Sequence, residues 1–166
     1  MKAAASRPRM KLILSPTDKL VEVFGYFLLV LLWVYTLLHY RGLPATIPVH
    51  FDFAGVPDRY GGKGALLSLS VVTTVLFAGL TILNRFPHLF NYPSDVTAEN
   101  AFKLYTGATR LIRYLKLMIV IIFGFIIVQT VRMSEGLTNG LGFWFLLTVL
   151  VAFIVFPIIF LIRMQK

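Results

Sequence analysis

Cysteine is absent from the 166 residues of this chain. That excludes disulfide staples, thiolate metal sites and cysteine nucleophiles. Charge is scarce too: Asp, Glu, Lys and Arg make up 14% of the chain, against about 25% in a soluble domain. Acids are scarcer still, seven against sixteen Lys and Arg, for a net charge of +9. What remains is apolar: 58% of residues are hydrophobic and the mean hydropathy is +0.81. The missing polar surface must face something other than water, and lipid is the natural candidate. The length allows one domain, and no large soluble domain fits beside the apolar runs.

An α-helical span needs roughly 20 mostly apolar residues to cross about 30 Å of hydrocarbon. Four stretches meet or nearly meet this, at about 20–40, 65–83, 115–131 and 141–162. None alternates polar with apolar residues, and all are too long for barrel strands. Basic residues precede the first stretch, as in a signal peptide. Its apolar run is longer than the usual 7–15 residues of a signal core and no small-x-small site follows, so it reads as a retained span. The expected fold class is an all-α integral membrane protein with four transmembrane helices. An ordered extracytoplasmic loop joins helices 1 and 2, and a cytoplasmic amphipathic helix precedes helix 3.

Positive charge sets the orientation. Lys2, Arg7, Arg9, Lys11, Lys19, Arg85, Lys103, Arg110, Arg113, Lys116, Arg163 and Lys166 fall on one side; Arg41, Arg59, Lys63 and Arg132 fall on the other. Twelve against four puts both termini in the cytoplasm, in a bacterial inner membrane. The loops at 41–64 and 132–140 then face outward. The lipid bilayer is thus the first partner, the basic balance is accounted for, and no nucleic-acid motif appears.

In the loop at 84–114, Pro93 and Ser94-Asp95 signal a turn. Thr97 is placed to cap a helix, with Glu99 in its first turn. Ala101, Leu104, Tyr105, Ala108, Leu111, Ile112 and Leu115 then recur as one apolar stripe, and Lys103, Arg110 and Arg113 lie away from it. This predicts a basic helix lying on anionic headgroups, or a docking surface for a partner.

The outer loop reads LPATIPVHFDFAGVPDRYGGK. Val49, Phe51 and Phe53 alternate with His50 and Asp52, which predicts a short strand carrying His50 and Asp52 on one face. Gly55-Val56-Pro57-Asp58 is a turn, and Gly61-Gly62 is a flexible break before Lys63. His50, Asp52 and Asp58 could hold Zn²⁺, with His39 as a fourth group. In the structural alternative, Asp58 tightens the turn, Lys63 pairs with Asp58, and His50 bonds a neighbouring carbonyl. A third reading is recognition of a peptide, a lipid headgroup or a membrane-protein partner by the aromatic cap (Tyr40, Phe51, Phe53, Tyr60).

The run IPVHF, then Gly55-Val56-Pro57-Asp58, then Lys63, resembles the signature of the bacterial membrane family called domain of unknown function 1648. That domain also forms the N-terminal part of Sdp-type toxin immunity proteins. The positions that carry the resemblance are His50, Phe51, Gly55, Pro57, Asp58 and Lys63. A second segment agrees: Pro87 to Pro93, then Glu99-Asn100-Ala101, Tyr105 and Arg110. For most of the family the resemblance implies a membrane protein of unknown role, and toxin immunity or stress signalling is its most concrete form; apart from the Zn²⁺ considered above, no cofactor is expected.

Catalysis finds little support. Ser68 and Ser70 lack a neighbouring base, and with Thr73, Thr74 and Thr81 they suit helix packing. Glu22, Lys116 and Arg132 stand at span ends, where long side chains can snorkel to the surface. Pro157 predicts a kink in the last span. The leading expectation is a non-enzymatic envelope protein. A membrane enzyme with a metal centre in the outer loop and an accessory subunit of a larger complex are the alternatives.

Overall fold

A computed structural model describes residues 7–165. Lys2 and Lys166, counted above in the charge balance, lie outside them. The order is α1 (Pro16–Tyr40), β1 (Thr46–Phe51), β2 (Pro57–Gly62), α2 (Gly64–Leu83), a 3₁₀ turn (Pro87–Leu89), α3 (Ala101–Ser134), α4 (Trp144–Leu150), a π turn (Val151–Val155) and α5 (Phe156–Gln165). Four helices are long and apolar enough to cross a membrane: α1, α2, α3 and the continuous Trp144–Arg163 stretch. The chain is a multi-pass helical membrane protein.

Helix α1 starts on a capping box. Ser15 Oγ accepts from Asp18 N–H, Asp18 accepts from Ser15 N–H, and Pro16 fills the first helical position. Helices α1 and α2 are stitched by polar contacts in their apolar interface. Trp33 Nε1 donates to Thr74 Oγ1 at 2.8 Å, and the Thr36 and Ser70 hydroxyls bond at 3.0 Å. Ser70 and Thr73 are buried, whereas Ser68 is exposed. Gly25 lets the Phe77 ring come close to the α1 backbone.

The amphipathic helix and the third span are one 34-residue helix. It starts after Asn100, not at Thr97, and Glu99 lies outside its first turn. Thr97 N–H instead donates to Asn100 Oδ1, which tightens the turn leading in. Around that start, Met10, Leu12, Tyr92, Val96, Ala101, Leu104 and Tyr105 form a second small core. Tyr92 OH donates to Pro87 O, and burial pushes this phenol above its ordinary value. Arg7 donates to the carbonyls of His88 and Phe90, so the segment before α1 lies along the 84–92 linker.

The last helix packs at the periphery. Tyr114 meets Phe156 and Phe160 edge-on, and Phe125 stacks on Phe145. Pro157 has no N–H for the carbonyl of Phe153, and its ring would strike that carbonyl. The π turn at 151–155 widens the backbone just ahead of it.

Candidate functional site

The outer loop folds into an antiparallel hairpin, with Thr46 facing Gly62 and Phe51 facing Pro57. Gly61 and Gly62 are therefore strand residues rather than a flexible break. The hairpin is anchored by Leu43 and Ile47, which sink into the bundle core with Leu66, Val120, Ile127 and Val131. Lys63 fixes the other end. Its Nζ donates to the carbonyls of Tyr40 and Leu43 at 3.4 and 3.2 Å and lies over the Tyr40 ring. A cation at the C-terminus of α1 answers that end's free carbonyls. The expected Lys63–Asp58 pair does not form.

Asp52, not Asp58, makes the turn. Its Oδ1 accepts from the N–H of Ala54 and Val56 at 2.9 and 2.8 Å. It falls beyond the end of β1 and does not share a strand face with His50. Asp58 instead reaches across the hairpin to His50, Oδ1 to Nδ1 at 2.6 Å, so the histidine bonds a carboxylate rather than a carbonyl. That pair is about half exposed on both sides (54% and 46%), and exposed pairs contribute roughly 0–1 kcal/mol. Two of the three suggested metal ligands thus meet while Asp52 is occupied by its own turn. Among the described residues, no three His, Cys, Asp or Glu side chains gather as a metal set.

The 135–143 turn completes the cap. Leu141 N–H donates to Gly55 O at 2.7 Å, and Gln129 Nε2 holds Gly140 O at 3.2 Å. Gly55 has φ +77°, and a Cβ there would strike the Gly142 backbone, so this crossing requires glycine. Between the hairpin and the turn lies a cleft of about 400 Å³, walled by Pro48, Pro57, Tyr60, Met133, Thr138 and Asn139. Phe51 is half-buried, whereas Phe53 and Tyr60 stand exposed beside it.

A second polar constellation sits near the other end of the bundle. Asp18 accepts from Arg110 Nε and Nη2 at 2.8 and 3.1 Å. Glu22 accepts from Lys116, whose ammonium also donates to Thr81 Oγ1 at 2.8 Å and lies over the Phe77 ring. Arg113 is 3.6 Å from the second Glu22 oxygen. Lys116 and Arg113 are 2% and 7% exposed, which overturns both the snorkelling expected of Lys116 and the headgroup-facing surface expected of Arg113. Lys103 remains exposed and Arg110 is intermediate. The signal was present as spacing. Arg110, Arg113 and Lys116 recur every third residue of α3, and Asp18 and Glu22 are four apart on α1, so each set shares a helix face. Read one helix at a time, these residues are solvated charge; read together, they are complementary.

Residues 27–74 match the family described as Domain of unknown function (DUF1648), the one the outer-loop motif resembles. The match runs from within α1 through the hairpin into α2, so it contains the hairpin whole and ends before the 87–110 segment. An uncharacterised protein of Archaeoglobus fulgidus is 36% identical over 89 residues, covering 49% of this chain and 49% of that relative. The chain thus spans about half the length of this curated relative. No solved structure matches.

Proposed function

We propose that this chain, which shares its α1–hairpin–α2 unit with the family of domain of unknown function 1648, is a non-enzymatic envelope protein that recognises a peptide through its outer cap. The carrying observation is the cleft of about 400 Å³ between the hairpin and the 135–143 turn. Both strands border it, through Thr46 and Pro48 of β1 and Pro57 and Tyr60 of β2, so the cleft lies over the face of the hairpin. A concave site with a few placed polar groups among apolar walls suits side chains of a bound peptide. Proline walls and the exposed ring of Tyr60 suit an apolar or aromatic residue. The resemblance to Sdp-type proteins makes immunity to a membrane-active peptide the most concrete form of this reading. The charge balance supports a cytoplasmic membrane, bacterial or archaeal, with both termini inside and the cap outside.

The test joins cell survival to chemical capture. A strain lacking the protein is challenged with a panel of membrane-active peptides, then complemented with wild type, Tyr60→Ala or Asp58→Asn. Complementation by wild type but not by the variants, at equal membrane abundance, supports recognition by the cap. A photo-reactive residue at position 60 should then capture the active peptide. Equal tolerance of every peptide with and without the protein would sink the immunity form. A failure of position 60 to capture any peptide would sink cap recognition itself.

A further inference from the structure

At the end of the bundle opposite the hairpin, the segment before α1, the linker after α2 and α3 enclose a recess of about 260 Å³. Three cations line it, Lys11, Arg85 and Arg113, and no acid does. Lys11 and Arg85 stand at its exposed rim. Arg113 is 7% exposed, and its Nε is sealed from solvent with no hydrogen-bond partner. Glu22 Oε2, at 3.6 Å, is beyond hydrogen-bond reach, and the other oxygen of Glu22 is held by Lys116. The guanidinium's planar fork suits a phosphate better than an ammonium does. Asn84 also lines the recess, its Nδ2 donating to Thr109 O.

We propose that this recess binds a phosphate group, its oxygens accepting from the Arg113 guanidinium and from Lys11 and Arg85 at the rim. Inorganic phosphate meets this description, and so does the phosphodiester of phosphatidylglycerol, which keeps its net negative charge. The segment before α1 forms one wall of the site. The assignment is independent of what the outer cap binds.

Delipidated protein in neutral detergent tests it through the thermal midpoint, since a ligand of the folded state raises that midpoint saturably. Inorganic phosphate, sulfate, short-chain phosphatidylglycerol and short-chain phosphatidylcholine are each titrated at matched ionic strength in chloride. The expected result is a saturable rise with phosphate or phosphatidylglycerol and none with phosphatidylcholine, whose choline cancels the phosphate charge, with sulfate, of like charge and shape, following inorganic phosphate. Saturation by phosphate identifies a free anion as sufficient; saturation by phosphatidylglycerol alone identifies a lipid headgroup. The Lys11→Gln/Arg85→Gln variant alters only exposed side chains and should fold, while its apparent affinity falls about tenfold through the loss of two charged contacts. Arg113→Lys keeps the charge, loses the fork and should bind more weakly. A midpoint that responds to chloride as it does to phosphate and phosphatidylglycerol, or a rim variant that binds as wild type does, overturns the proposal.

Discussion

At the scale of single residues, Glu22 is the acid on which the buried tier depends. One carboxylate faces two buried cations, Lys116 and Arg113. Removing one member of a buried pair costs about 3–5 kcal/mol, because the other is left as an uncompensated charge. Glu22→Gln strands two cations, whereas Lys116→Met leaves Glu22 with Arg113. Glu22→Gln should therefore be the more destabilising change, by at least about 1 kcal/mol, and the double variant should recover part of the loss. Denaturation in mixed micelles measures both; a costlier Lys116→Met would refute the reading. Nothing in a one-dimensional scan distinguishes such residues from charges that snorkel. The distinction lies in which helix faces which, and here the polar face of α3 turns toward the acids of α1 rather than toward water.

At the scale of elements, the spans were legible because a bilayer demands long apolar helices. The hairpin was partly legible from the alternation around Val49–Phe53 and the turn glycine. Its details were not, because several side chains could have made the turn. Asp52 took the turn, having two amide N–H groups within its own loop, and so released Asp58 for His50. Ahead of Pro157, where the sequence predicts a kink, the backbone makes a π turn. The Pro157→Ala variant should restore regular α geometry and rotate the following helix by about 100°, one residue's turn at 3.6 per turn. The absence of cysteine gives a clean readout. Tyr114 and Phe160 have ring centroids 6.2 Å apart, so cysteines at these positions should be joined by a short bismaleimide in the presence of Pro157. The yield should fall sharply in Pro157→Ala, and an undiminished yield would contradict the geometry.

At the scale of the whole molecule, the topology proposed above, with both ends of the chain in the cytoplasm and the cap outside, makes a direct prediction. Tyr60→Cys and Leu89→Cys, both on exposed side chains (63% and 68%), should behave oppositely in intact cells. An impermeant maleimide should label position 60 directly and position 89 only after permeabilisation; the reverse pattern would invert the topology. From Lys116 to Ser134, α3 rises about 27 Å at 1.5 Å per residue, close to the hydrocarbon thickness of about 30 Å. The ionic tier thus stands at the hydrocarbon edge facing away from the hairpin, where it joins α1, α2 and α3. Its arrangement also sets a clock on assembly. Asp18 and Arg110 are 92 residues apart in sequence. A ribosome adding about 5–20 residues per second needs about 5–18 seconds to supply the partner. For that interval the nascent first span holds two carboxylates with no cation to meet them, so its entry must halt with Asp18 and Glu22 still in water. Final seating of α1 waits for the third helix, and any chain that stalls before residue 110 is left with its first helix drawn toward the surface.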